Sequence, residues 1–173
     1  MGRKSRPMPR EPYTLVTERL RLCPVCTDDA PALLALFRTA FVRRYLLDDA
    51  LVELDWVLTT LGESEAMFDR QRFGLWSAFL AAGSDLIGFC GFIAESDEPR
   101  LICGLSEALS GMGFAREAAL AVVAFASDQG LDPIRASVDA ANVASRALRD
   151  ALGFEIIQTS DGHSGAALLY EKR

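Results

Sequence analysis

Nine residues, Ser110 to Ala118, constrain this chain more than any others: Ser-Gly-Met-Gly-Phe-Ala-Arg-Glu-Ala. Two glycines one residue apart, Gly111 and Gly113, separate a β-type segment ending near Leu109 from a long apolar run of helical character. Glycine permits a positive φ and lets a ligand approach where a Cβ would stand. A helix that starts directly after such a turn presents unpaired N–H groups and the positive end of its dipole. Together these make an anion site built from backbone and suited to phosphate. A glycine pair before a helix also serves as an ordinary tight turn, so the rest of the chain decides between the two.

The 173 residues fit one domain whose core needs neither disulfide nor metal. Half are hydrophobic, yet no apolar run approaches the roughly 18 residues of a membrane helix. Residues 1–12 are basic and proline-rich, with Arg3, Lys4, Arg6 and Arg10. No apolar stretch follows them, so they read as a flexible arm rather than a secretory signal, ahead of a domain spanning 13–173. Arg6 excludes a myristoylation start. The net charge of −6 argues against nucleic acid as a partner, because neutralising phosphates takes clustered Lys and Arg. It suits a cationic acceptor such as an amine.

Four cysteines are present, and Cys23-Pro24-Val25-Cys26 has the spacing of a redox or zinc pair. Cys23, however, ends a strand pattern, and Cys90 and Cys103 lie in apolar strand patterns where cysteine acts as a small hydrophobe. All four are expected as free structural thiols with no metal site, which points to the cytoplasm. The one histidine, His163, falls in the polar stretch Ser160–Gly165 and is expected in a loop, leaving no histidine-based triad.

Periodicity orders the elements. Thr17 to Val25 alternates as a first strand, and Thr27-Asp28-Asp29 then caps a helix carrying Ala30, Leu33, Leu34, Leu36 and Phe37. Residues 48–70 hold a second helical region, with Gly62 expected to break it. Three strand patterns follow, Phe73–Ala82, Leu86–Ala94 and Leu101–Leu105, with turns at Gly83-Ser84-Asp85 and Ser96-Asp97-Glu98-Pro99; such short turns imply an antiparallel meander. A buried helix from about Gly113 to Asp128 stops at Gly130. Strand Ile134–Val138, helix Ala144–Leu152, and strands Phe154–Thr159 and Ala166–Tyr170 complete the chain. The expectation is one α/β domain with a mixed, mainly antiparallel sheet of about seven strands, in the order β-α-α-β-β-β-α-β-α-β-β.

A second motif follows strand Ile134–Val138: Asn142-Val143-Ala144-Ser145, then Leu152-Gly153-Phe154. With Thr17-Glu18-Arg19-Leu20-Arg21-Leu22 at the start, Leu86-Ile87-Gly88-Phe89-Cys90-Gly91 and the Gly111–Ala115 turn, the chain resembles the GNAT superfamily of N-acetyltransferases. The likeness runs from about Thr17 to the C-terminus and is strongest to the ribosomal-protein (RimJ/RimL-type) branch. Each motif is weak singly; in this order they are specific.

The resemblance implies acetyl-CoA as donor and helices on both faces of the sheet. Ser110, Gly111, Met112, Gly113, Phe114 and Ala115 map onto the family's pyrophosphate loop. The strand end at Leu105, within Gly104–Glu107, pairs its backbone with pantetheine, and Asn142 and Ser145 reach the cofactor arm. Ser110 departs from the usual Gln or Arg, and Arg149 from the tyrosine that protonates the leaving thiolate in many members. Ser145 is therefore the candidate acid. Glu107, expected at the strand end beside the thioester, is the candidate base, with Glu95 on the neighbouring hairpin second. The implied reaction is direct attack of a primary amine on the thioester in a ternary complex. The acceptor is a protein N-terminus or a small amine, no membrane is involved, and a second copy of the chain is left open as a partner. An acetyl-CoA-binding sensor without turnover is the alternative; a Rossmann-type nucleotide site is disfavoured, because successive βαβ units are missing.

Overall fold

A computed structural model of the chain describes residues 11–47, 49–162 and 165–173. Eight strands form one mixed sheet in the order β1-β2-β3-β4-β5-β6-β8-β7. They are β1 (Leu15–Val16), β2 (Leu20–Pro24), β3 (Leu75–Leu80), β4 (Leu86–Glu95), β5 (Glu98–Leu105), β6 (Ile134–Asp139), β7 (Glu155–Gly162) and β8 (Gly165–Lys172). Five helices accompany them: α1 (Ala30–Phe37), α2 (Ala40–Leu46), α3 (Leu54–Gln71), α4 (Phe114–Asp128) and α5 (Val143–Ala151).

Alternation along the central strands splits the core between the two faces of the sheet. Trp76, Ala78, Cys90, Phe92 and Leu101 pack with Ala118, Ala119, Val122 and Ala126 of α4. Leu75 and Phe89, their immediate neighbours in sequence, join Leu33 and Phe37 of α1 and Val57 and Leu61 of α3 on the other face. The antiparallel meander and the elements after it match the sequence expectation, and β1 adds a short eighth strand.

Four local details differ. Gly62 does not break its helix: α3 runs through it from Leu54 to Gln71. Gly62 faces solvent, and burial of Val57, Leu61, Met67 and Phe68 outweighs the roughly 1 kcal/mol that a helical glycine costs. The stretch after α1 holds a separate helix, α2, opened by the Thr39 side chain accepting from the Val42 N–H. Thr27 does not cap α1: Thr27–Asp29 is itself one 3-10 turn. There the buried Asp29 accepts from the Cys26 N–H at 3.2 Å and the Ser77 hydroxyl at 2.7 Å. At the β4–β5 hairpin only Ser96 and Asp97 turn, with φ of 50° and 64°. Glu98 and Pro99 already belong to β5, since Glu95 pairs with Glu98.

The junction of β5 with β6 differs from the other pairings. Among the described residues it is the one parallel pairing in the sheet, and the two strands register there at Arg100 with Arg135. Beyond that point they part. The Ser106 N–H still bonds the Ile87 carbonyl at 2.8 Å on the β4 side. Alternation then turns the backbone groups of Leu101, Cys103 and Leu105 toward the opening.

Candidate active site

The glycine turn has the backbone it requires. Gly111 and Gly113 adopt φ of 76° and 83°, the left-handed region that side chains disfavour. Gly113 is the N-cap of α4 and supplies no capping side chain. The first intrahelical bond runs from the Glu117 N–H to the Gly113 carbonyl, which leaves the N–H groups of Phe114, Ala115 and Arg116 without an intrahelical acceptor. β5 ends at Leu105, and a 3-10 turn, Glu107–Leu109, carries the chain into the loop. Ser110 closes that turn through its N–H, at 3.0 Å from the Glu107 carbonyl. Met112 projects outward, while the Phe114 ring is buried.

A cation braces this turn. Arg19 on the entry to β2 donates from Nη1 to the Met112 carbonyl at 3.0 Å and stacks over the Phe114 ring at 4.3 Å. Its Nε pairs with Glu117 Oε2 at 2.6 Å, and its backbone N–H reaches Glu117 Oε1 at 2.9 Å. Glu117 also accepts from the Thr17 hydroxyl. Burial works to raise the Glu117 carboxyl, but the bonds from Thr17 and Arg19 outweigh it and hold the group below the usual carboxylate range. Sequence reasoning missed this role of Arg19. Its signal was the Thr17–Leu22 motif, whose function only the contact with Glu117, 98 residues away, discloses.

Across the opening lies α5. Asn142 is its N-cap and accepts from the Ser145 N–H at 3.0 Å, leaving the amide NH2 group for other partners. Ser145 is half-buried, and Arg149, four residues on and hence on the same helix face, is buried to 3 % exposure. The Arg149 Nη2 donates to the Leu101 carbonyl at 3.3 Å. That carbonyl follows the last residue pair at which β5 and β6 are in register, so the guanidinium stands at the closed end of the gap.

Of the two carboxylates, Glu107 is placed differently from expectation, while Glu95 is on the hairpin as expected. Glu107 does not end the strand; it is exposed and begins the 3-10 turn beside the glycine loop. Glu95 ends β4 at the β4–β5 hairpin, away from the glycine turn, accepts from the Ser137 hydroxyl at 3.0 Å and sits 3.7 Å from Arg100 Nε. Leu105 is buried, with its backbone at the open end of the gap. A hollow of about 340 Å³ lined by Arg70, Phe73 and Gly130 lies beyond the far end of α4 and touches none of these residues. The candidate site is thus a slot between strands and a helix start, not a closed cavity.

Cys23 and Cys26 are free thiols with separate partners. Cys23 is buried on β2 with Arg21 Nη1 at 3.5 Å, and the Cys26 thiol sits 3.6 Å from Asp29. Burial and the Asp29 charge push the Cys26 thiol up. Among the described residues no group of three or more His, Cys, Asp or Glu could hold a metal ion. His163 lies outside the described residues.

The family model described as "Acetyltransferase (GNAT) domain" matches residues 19–155. The chain belongs to the GNAT acetyltransferase family. It is accordingly an acyltransferase of the acetyl-CoA-dependent class. No curated protein matches it. Among solved structures, this GNAT chain is similar to an acetyltransferase from Agrobacterium tumefaciens, at 23% identity and a TM-score of 0.79 over 92% of this chain and 94% of that one. It is also similar to an acetyl transferase from Salmonella typhimurium that modifies the N-terminal serine of 50S ribosomal protein L7/L12. That likeness has 16% identity and a TM-score of 0.74, covering 91% of this chain and 96% of the other. A third similar structure is RimL, a ribosomal L7/L12 α-N-protein acetyltransferase, in complex with coenzyme A. It has 14% identity and a TM-score of 0.75 over 91% and 96% of the two chains. At these identities the structures share the fold. No helix of the described residues is long and apolar enough to cross a membrane.

Proposed function

We propose that this chain transfers the acetyl group of acetyl-CoA to a primary amine by direct attack within a ternary complex. The observation that carries this reading is the parting of β5 from β6 immediately beside the Gly111–Ala115 turn. A slot with outward backbone amides runs from a helix N-terminus to a closed end. This suits a molecule that has a pyrophosphate at one end, an amide-bearing arm and a reactive thioester at the other.

In this arrangement Met112, Gly113, Phe114 and Ala115 offer N–H groups to the pyrophosphate, with Ser110 and Gly111 shaping the approach. Cys103 and Leu105 pair with the pantetheine arm, and Asn142 donates its amide to it. The thioester carbonyl lies along β5, where a backbone N–H stabilises the developing oxyanion. Ser145 points its hydroxyl toward the departing sulfur. Glu107 takes up the amine proton through water. Positioning two reactants in one slot supplies most of the rate.

For the acceptor we infer a protein N-terminus or a small amine, reached in the cytoplasm, where thiols such as these four stay reduced. The likeness to enzymes that modify ribosomal L7/L12 supports including a serine-initiated peptide. The test is coenzyme A release from acetyl-CoA across a panel of peptides, polyamines, aminoglycosides and amino acids. Release with one class and acetylated product by mass spectrometry establishes the reaction. Binding of acetyl-CoA without release on any amine would replace it with the sensor reading.

A further inference from the structure

The innermost group of the slot is a cation with donors to spare. Arg149 uses Nη2 on the Leu101 carbonyl, while Nε and Nη1 are buried with no partner, as is the Tyr170 hydroxyl on β8. The ionisable groups that face it are the Cys103 thiol on β5, the Cys90 thiol on β4 and Tyr170. Arg146, one turn earlier on α5, is turned to the Ala140 carbonyl. Among the described residues no carboxylate is bonded to Arg149. Burial drags its guanidinium below the usual range, although arginine stays charged at any working pH. A buried charge with unmet donors is costly, and an arriving anion relieves that cost.

We propose that Arg149 receives the leaving coenzyme A sulfur as a thiolate, in place of a group that would protonate it. This rests on the acetyl-transfer reading above and assigns the residue that lets the carbon–sulfur bond break. The amine lone pair forms the C–N bond at the thioester carbonyl. The tetrahedral intermediate then collapses, and the C–S electron pair departs with sulfur. The amine proton goes to water or Glu107, and the thiolate is held by the free Nε–H and Nη1–H. It takes a proton from solvent after release, so no proton need cross the slot.

Two observations favour an anionic sulfur at this position. A protein sulfur already faces this guanidinium: the Cys103 thiol is shifted down by its hydrogen bond with Cys90 and by the Arg149 charge, against the effect of burial. The alternative donor, the Ser145 hydroxyl, is a poor acid near neutral pH, where an efficient general acid needs a pKa close to the medium. Ser145 lies one turn nearer the mouth on the same face, placed to hydrogen-bond the thiolate while keeping its proton.

The experiment is titration calorimetry of coenzyme A and its S-methyl thioether, in buffers of different ionisation enthalpy. It uses a Cys103→Ser background, so that the protein's own thiol takes no part. In that background coenzyme A should release a measurable fraction of a proton on binding at neutral pH, and the S-methyl compound none. By pH 9 coenzyme A should bind roughly tenfold or more tightly than the methylated compound, the scale of a charge-assisted bond. Arg149→Met should erase both the proton release and the preference while retaining S-methyl binding, and Arg149→Lys should restore part of each. Absence of proton release in the arginine form overturns the proposal even if Arg149→Met fails to fold. So does equal release in a folded Arg149→Met variant. If neither compound binds the arginine form, the acetyl-transfer reading itself fails.

Discussion

Arg19 and Glu117 form a 2.6 Å ion pair that fastens the entry of β2 to the first turn of α4. The same guanidinium bonds the Met112 carbonyl between the two glycines of the loop. A charge on one end of the chain thus braces the proposed backbone anion site near its middle. It also supplies a cation where Ser110 cannot.

Arg19→Ala should therefore weaken acetyl-CoA binding by about tenfold to a hundredfold, the loss of a charge-assisted hydrogen bond near phosphate. Thermal stability of the unliganded protein should barely move. The Arg19 side chain is 41% exposed, and an ion pair that wet contributes about 1 kcal/mol or less. Calorimetric affinity beside a melting curve separates the two effects. A large melting loss with unchanged affinity would make Arg19 a fold residue only.

Gly113→Glu should abolish the thermal shift that acetyl-CoA produces. Ligand at a hundred times its dissociation constant adds about 2.7 kcal/mol to a protein that binds it only when folded. A side chain at φ 83° is strained, its Cβ would stand 3.3 Å from Arg19 Nη2, and a carboxylate there repels the pyrophosphate. A variant that still shifts like the parent would move the phosphate site away from this turn.

The Glu117 carboxyl gives a pH signature. Its folded pKa lies below the unfolded value of about 4.3, so it binds fewer protons when folded. Its contribution to stability is complete above about pH 4.3 and is lost as pH falls through the folded pKa. Urea unfolding of the parent and Glu117→Gln from pH 7 to pH 3 should show a constant gap at the upper end that narrows below about pH 4. A gap that widens with acid would contradict the sign.

Ser145→Ala should reduce turnover by about tenfold with acetyl-CoA affinity nearly unchanged, the loss of one hydrogen bond to departing sulfur. Asn142→Ala should instead weaken the cofactor. A drop of about 10² to 10⁴ for Ser145→Ala would mean that the serine gives up its proton. Initial rates with an accepted amine should give intersecting lines. Parallel lines with a competent acetyl-enzyme would rule out direct transfer.

Much of the architecture was legible in the chain because period and punctuation are local. The glycines at 111 and 113, the meander of short strands and the Asn142 cap declare themselves within a few residues of each other. What misled was local as well. Gly62 looked like a break, and only the burial of α3 against the sheet shows why the helix continues through it. Glu107 looked like a strand end, and only the register of β4 with β5 shows that the strand has already stopped at Leu105.

The sequence by itself determined the family, most of the order of elements and the glycine turn before α4, since each rests on residue types at fixed short spacings. Tertiary structure alone decided how that turn is braced and what lies at the end of the slot. Arg19 is 98 residues from Glu117 and Arg149 is 48 from Leu101. Nothing in the spacing of such residues says that they meet, and the second contact depends on where β5 and β6 cease to pair. That parting exposes one carbonyl and buries one guanidinium beside it, and it turns an apparent departure from the family pattern into a candidate for its chemistry.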